Sequence, residues 1–283
     1  MQPNEVLALI SLISDDDREV VSHVETKILE LGTPIIPLLE QEWEKSLDPD
    51  VQQRIEQLIH ALQQKLVQER LIVWKQNGGK DLLEGLWIIA TYQYPDLALE
   101  TVRMQIEQIY YEAWLQLDND LHPFDQIKAL NGVIFTKMKF SANTVNFHSP
   151  ANSMINLVLE SKKGNPITLC AIYMLVAQKL KMPVYGVNLP NLFVLTYKQP
   201  YAQFYINAFS RGIILSKADI DNYLAKLNLA KLPMFYEPCN HIDIIFRVLR
   251  NLVVSFERNN ETEKVEEIKS LLQILTDTPE TSV

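Results

Sequence analysis

The chain has 283 residues and a formal charge of −9, from 26 basic and 35 acidic side chains. With 47% hydrophobic and 22% charged residues it can form a full core, which excludes an intrinsically disordered chain. The acidic balance predicts no binding to nucleic acid, which requires a basic face, and none to anionic membranes. There is no run of about 18 uncharged apolar residues, so no membrane span is expected. No basic leader precedes the first apolar run, and we therefore expect a cytoplasmic protein.

Residues 1–120 are predicted to be helical. Apolar positions recur at the helical period along residues 18–31, where Gly32 ends the pattern and Thr33-Pro34 begins the next helix. This order of helix, Leu-Gly turn and helix is typical of HEAT-type repeats. An ordinary helical bundle is the alternative, because only one repeat and part of another are recognisable, whereas a stable array needs about three.

Residues 121–230 are predicted to form a core of mixed structure. It begins with a connector that contains a short helix at 126–133. A second helix then runs through Glu160, and either Asn152 or Ser153 would cap its start.

The stretch 166–180 is apolar around most of its circumference, which predicts a helix buried on most sides. Asn165 would cap this helix, with Pro166 as its first residue. Ser216 and Asp219 form a capping box that begins a later helix. Apolar runs between the two helices predict the strands of a small antiparallel sheet, at 184–189, 193–197 and 203–209. The fold class is therefore α+β and mostly helical, with the sheet packed against a buried helix.

Residues 231–283 are predicted to form a helical pair, at 243–255 and 262–275. The pair is similar to a tetratricopeptide (TPR) unit. Because one pair is not an array, packing onto the core is the alternative. The chain is thus predicted to have three parts, at 1–120, 121–230 and 231–283.

The two cysteines, Cys170 and Cys239, are too few for a disulfide framework or a cysteine-rich zinc site. Cys170 lies in the second turn of the helix that begins at Pro166, where the helix start stabilises a thiolate only modestly. Acyl transfer would also need a base within about 3 Å, for which His148 and His241 are candidates. The alternative is that Cys170 is a small, inert core side chain.

No metal or cofactor is expected. One cysteine and one histidine, Cys239 and His241, are not enough to predict a metal site. The chain has eight glycines and lacks the GxxxxGK[ST] phosphate loop.

Local motifs with a distinctive spacing follow one another along the core. They are an Asn-Ser pair at 152–153, a VLE…GxPITL segment at 158–169, a GV…PxxF segment at 186–193 and an Asn-x-Phe…Gly segment at 207–212. Together they resemble the transglutaminase-like superfamily, and more narrowly its bacterial SirB-type branch. The resemblance is close over residues 145–225 and loose over the helical flanks. It implies a transglutaminase-like core between those flanks.

In the enzymes of this superfamily a Cys at a helix start, a His on the next strand and an Asp on the following strand form a triad. The resemblance places Cys170 at or near the first position, Leu192 at the His position and Asn207 at the Asp position. Leucine cannot accept a proton, and the asparagine has no imidazole to orient. The resemblance therefore implies a degenerate triad, with the thiol pKa near its ordinary value of about 8.5 or higher.

We expect a non-catalytic protein that acts as a protein-interaction or scaffold module, with the N-terminal helices binding a protein partner. One alternative is a cysteine-dependent acyl-transfer enzyme, amidase or protease that uses Cys170 and a relocated base. Another is a protein that binds a small ligand in the vestigial cleft. The side chains expected around that cleft are Tyr173, Asn191, Asn152 and His148.

Overall fold

The computed structural model describes residues 3–15, 17–117 and 121–276. The chain forms two compact units, residues 1–70 and 71–283. The division into three parts stays a prediction, and the first of its boundaries falls outside the described residues. No helix in the described part of the chain is both long enough and apolar enough to cross a bilayer.

The first unit is helical, as the sequence predicts. Its helices are α1 (Pro3–Ser11), α2 (Arg18–Leu31), α3 (Ile36–Lys45) and the part of α4 (Pro49–Gln76) up to residue 70. Gly32 ends α2 with a φ of +76°, and residues 33–35 form a 3₁₀ turn before α3 begins. The apolar faces of these helices form one core cluster that includes Ile28, Leu39 and Ile55. Such a cluster suits both a HEAT-type pair and a bundle, so the repeat assignment stays a prediction.

The second unit is of mixed structure, which confirms a mostly helical α+β fold with a small antiparallel sheet. Its further helices are α5 (Leu82–Thr91), α6 (Leu99–Trp114), α7 (Pro123–Asn131), α8 (Ile155–Ser161), α9 (Pro166–Lys179), α10 (Lys217–Lys226), α11 (His241–Arg258) and α12 (Thr262–Thr276). Its strands are β1 (Ser141–Ala142), β2 (Lys163–Gly164), β3 (Val184–Leu189), β4 (Leu192–Gln199), β5 (Ala202–Asn207) and β6 (Ile213–Leu215). The first two strands pair in parallel, and the last four form an antiparallel sheet in the order β3-β4-β5-β6.

Two helix boundaries differ from those predicted. The helix expected at 126–133 begins three residues earlier, at Pro123, and continues after Asn131 as a π-helical turn at 132–137. The cap expected at Asn152 or Ser153 is wrong, because both lie in a 3₁₀ turn and α8 begins only at Ile155.

The capping box at the start of α10 is confirmed, since Ser216 accepts from the Asp219 N–H and the Asp219 carboxylate accepts from the Ser216 N–H. Helices α11 and α12 pack against each other, as the predicted pair should. Their similarity to a TPR unit stays a prediction.

The antiparallel sheet is covered on both faces. On one face, side chains of β3, β4 and β5 form an apolar cluster with α10; its buried members are Val187, Leu189, Val194, Tyr205, Ile220, Leu224 and Tyr236. Successive strand residues point to opposite faces. Phe193 therefore points away from this cluster, towards the face on which α9 packs against β3 and β4.

The end of α7 is tied to the turn between β5 and β6. The Asn131 side chain donates a hydrogen bond to the Gly212 carbonyl at 2.8 Å. Gly212 has a φ of +76°, a conformation that favours glycine. A Cβ atom at this position would lie 2.1 Å from the Asn131 Oδ1 atom, so the contact requires both the open conformation and the missing side chain.

We expect Gly212→Ala to lower the free energy of unfolding by about 2 kcal/mol or more, because it adds backbone strain and a clash with Asn131. Gly132→Ala is the matched control, since nothing lies within 4 Å of a Cβ atom there and its φ is −58°. The control should be neutral or gain up to about 1 kcal/mol. Denaturant unfolding measures both, and equal effects of the two changes would contradict the role of the Asn131 contact.

Candidate functional site

Two of the motifs that resemble the superfamily, the pair at 152–153 and the segment at 158–169, come together at the start of α9. The Asn165 side chain caps the helix by accepting from the Thr168 N–H at 3.0 Å, and Pro166 occupies the first turn, as predicted. The Asn165 amide also donates to the Ser153 hydroxyl at 2.9 Å. Both groups are buried, so this bond fixes the start of α9 against the turn at 150–153.

Asn152 holds the loop that leads into that turn. Its side-chain amide donates to the carbonyls of Asn146 and Phe147, at 2.7 and 2.9 Å, and its oxygen accepts from Asn143 at 2.8 Å. Buried polar groups are costly unless they are paired, and this amide is fully paired within the protein. Asn152 therefore positions the loop that carries His148, and both of its N–H groups are already used within the protein.

The Cys170 thiol is fully buried under the sheet. Its Sγ atom lies 3.6 Å from the Phe193 carbonyl oxygen, to which the thiol donates. Burial raises the pKa of the Cys170 thiol to about 12, an effect that the Ala208 backbone N–H opposes and the nearby Cys239 reinforces. The thiol is consequently protonated at neutral pH.

Tyr173, one turn further along α9, is a core residue. It is fully buried, and its hydroxyl donates to Asn131 Oδ1 at 3.0 Å. Burial raises its pKa far above the ordinary value. Through Asn131 it joins α9 to the Gly212 turn, which gives it a structural role.

Leu192 and Asn207 have structural contacts of their own. Leu192 packs against the apolar cluster between the sheet and α10, on the face opposite to the Phe193 side chain. The Asn207 side chain accepts from the Ser210 N–H at 3.2 Å and caps the short turn at 208–210. Neither a leucine nor an asparagine side chain can act as a general base for the Cys170 thiol.

Each histidine described in the second unit makes contacts of its own. His122 caps α7 and stacks on Phe124. His241, at the start of α11, pairs through Nδ1 with the Gly79 carbonyl oxygen at 3.0 Å. His148 packs edge-on against Phe147 and lines a cavity.

That cavity brings together two of the predicted residues, His148 and Asn191. It has a volume of about 270 Å³ and lies between the start of α9, the β3–β4 turn and α11. We call it the Arg247 cavity, and its polar lining consists of His148, Asn165, Asn191, Arg247, Asn251 and Ser255. Phe193 lines it too, and the carbonyl of the same residue accepts from the Cys170 thiol, which is not itself part of the described lining.

Arg247 is the charged group of the cavity. Its Nη1 atom donates to the Asn188 side-chain oxygen at 2.9 Å and to the Leu189 carbonyl at 3.2 Å. Partial burial and the neighbouring Arg250 lower its pKa, although a guanidinium remains charged in proteins. Within the described residues it has no carboxylate partner.

Sequence reasoning missed Arg247 and Asn251. They follow one another at a spacing of four on α11, with Ser255 four residues later, which places all three on one helix face. This polar stripe on an otherwise apolar helix face is the sequence feature that could have indicated a polar site. Within the described ranges, no three His, Cys, Asp or Glu side chains converge in a way that could hold a metal ion.

A family model for the transglutaminase-like superfamily matches residues 100–250. The chain belongs to the transglutaminase-like superfamily. It is 26% identical over 200 residues to a UPF0162 protein of Xylella fastidiosa (strain 9a5c), which covers 65% of this chain and 67% of that protein. It is 23% identical over 186 residues to the UPF0162 protein YchA of Escherichia coli (strain K12), which covers 64% of this chain and 69% of that protein.

The chain is also 23% identical over 248 residues to the F-box only protein 21 of Homo sapiens, which covers 77% of this chain. The matched part spans about two thirds of the bacterial relatives and 39% of the human one. No solved structure matches the chain at a significant level. The SirB-type branch and the degenerate triad stay predictions.

Thiol alkylation tests the environment of Cys170. With a pKa of about 12, the thiol should react at pH 7 about a thousandfold more slowly than free cysteine, because only the thiolate is nucleophilic. Its rate should rise about tenfold per pH unit up to pH 10, with no plateau near neutrality.

Burial also raises the pKa of Cys239 to about 12, so both thiols should be slow and Cys239→Ala isolates Cys170. Mass spectrometry of the alkylated peptide measures the rate. A fast reaction of Cys170 at pH 7 would show that the thiol is accessible and activated.

Proposed function

We propose that this protein is a non-catalytic member of the transglutaminase-like superfamily that acts as a protein-interaction module. The observation that carries the proposal is the buried Cys170 thiol, whose pKa is raised to about 12. At pH 7 only about one thiol in 10⁵ is ionised. Acyl transfer requires a thiolate, and this side chain does not supply one.

The side chains at the two other proposed triad positions also do not supply a base for the thiol. Leu192 packs in an apolar cluster, and the Asn207 oxygen is used in a helix-cap bond. His148 faces the Arg247 cavity, whose described lining excludes Cys170. A relocated-base enzyme would have to expose the thiol and bring an imidazole to it, which means opening the contact between α9 and the sheet.

The interaction role is supported by exposed apolar side chains in the first unit. Leu47, in the turn between α3 and α4, is 97% exposed. Leu7 and Leu12 are exposed as well. Burial of one leucine side chain in a complex would contribute about 1.5–3 kcal/mol, enough to decide a partner's affinity.

Cys170→Ala should have the same rate of amide chemistry as the wild type, because we expect the wild type to be inactive. Amide hydrolysis and amine incorporation can be assayed on mixed peptide substrates for the wild type, for Cys170→Ala and for Cys239→Ala as the control. All three should give the background rate. A rate above background that only Cys170→Ala abolishes would instead support the cysteine-enzyme alternative.

Leu47→Glu should reduce the recovery of a protein partner about tenfold or more, because it places a charge where an apolar contact forms. Tyr201→Glu is the matched control, since Tyr201 is fully exposed in the β4–β5 turn of the second unit. The full chain serves as bait in its native cells, and quantitative mass spectrometry compares the variants. The absence of any stoichiometric partner, or equal losses from both changes, would contradict the proposal.

A further inference from the structure

We propose that the Arg247 cavity binds the carboxylate of an amino-acid-sized ligand that also contains an amide group, with Arg247 as the carboxylate-binding residue. The inference goes beyond the proposed function, because it concerns a small ligand and a cavity whose described lining excludes the thiol.

The charge balance of the cavity favours an anion. The chain carries a formal charge of −9, yet none of the described residues that line this cavity is acidic. Arg247 is partly buried there, and its hydrogen-bond acceptors in the protein are neutral groups, the Asn188 amide oxygen and the Leu189 carbonyl. A partly buried cation without a carboxylate partner is costly, and a bound anion would offset that cost.

The geometry of Arg247 leaves donors for the ligand. The two bonds to β3 residues both use Nη1, so they orient the guanidinium and leave its Nε and Nη2 groups without an acceptor in the described structure. These groups form the edge of the planar fork that binds a carboxylate through two parallel hydrogen bonds.

A single guanidinium selects the charge of the ligand. Arg250 is exposed on the next turn of α11 and does not line the cavity. A carboxylate carries one negative charge, which Arg247 alone balances. A phosphate carries nearly two at neutral pH and would need a second cation, for which the described lining offers only the His148 imidazole.

The rest of the lining indicates what is attached to the carboxylate. The side-chain amides of Asn191 and Asn251 have no partner among the described residues, so they can bond to an amide group of the ligand. Phe147, Phe193 and Val254 supply apolar walls. A volume of about 270 Å³ suits a group the size of one amino-acid residue.

Direct binding of N-acetyl-L-leucine to the full chain tests the inference. Protein-observed NMR titration should show saturable binding to the wild type, and the neutral N-acetyl-L-leucine amide should bind at least about tenfold more weakly. Acetate alone should bind more weakly than N-acetyl-L-leucine, because it lacks the amide and apolar parts. Inorganic phosphate should bind more weakly as well.

Variants identify the residue responsible. Arg247→Met should weaken binding of N-acetyl-L-leucine at least about tenfold, and Arg247→Lys should weaken it less, since it keeps the charge but loses the planar fork. Arg250→Met is the matched control on the same helix and should bind as the wild type does. Asn251→Asp is nearly isosteric and should also weaken binding, because it places a carboxylate beside the ligand; it covers the case in which Arg247→Met fails to fold.

Ligand binding at the cavity can be tested independently of the proposed function. The titration is repeated on Cys170→Ala, which should still bind N-acetyl-L-leucine because Cys170 is not part of the described lining. The inference is overturned by no saturable binding, by equal binding of the acid and its amide, by stronger binding of phosphate, or by unchanged binding in Asn251→Asp and folded Arg247→Met.

Discussion

Helix α9 is apolar on almost every side, and other elements of the second unit pack around it and bury it. Strands β3 and β4 pack on one side of this helix, and α5, α6, α8 and α11 also contact it. This burial places Cys170 against the Phe193 carbonyl, where the desolvated thiol keeps its proton. The packing that stabilises the core therefore also keeps the Cys170 thiol buried and protonated.

The family-like motifs have structural explanations that do not need catalysis. Ser153 and Asn165 join the turn at 150–153 to the start of α9, while Asn152 fixes the loop before it. Gly164 lies against Val158, where a Cβ atom would come within 2.9 Å of a valine methyl. These contacts position one end of α9 beside the Arg247 cavity, so the motif residues hold one wall of that cavity and the helix that carries Cys170.

Local signals predicted most of the fold, and long-range contacts explain what they missed. Asn165 and Ser216 were predicted as caps because a cap depends on neighbours within three residues. Asn152 resembles a cap equally well, but its amide bonds to residues 143–147 instead, which depends on the loop's path. The Arg247 cavity joins residues about 100 positions apart, from His148 to Asn251, and no local pattern encodes that proximity.

We expect the Cys170 thiol to stay protonated and unreactive inside the folded protein. The most direct measurement is a titration of its ¹³Cβ chemical shift by NMR in the Cys239→Ala background, over the pH range in which the protein remains folded. We expect no thiolate signal for Cys170 between pH 6 and pH 10, because its pKa is raised to about 12. A thiolate that forms at or below pH 7 would contradict the account and indicate an activated cysteine.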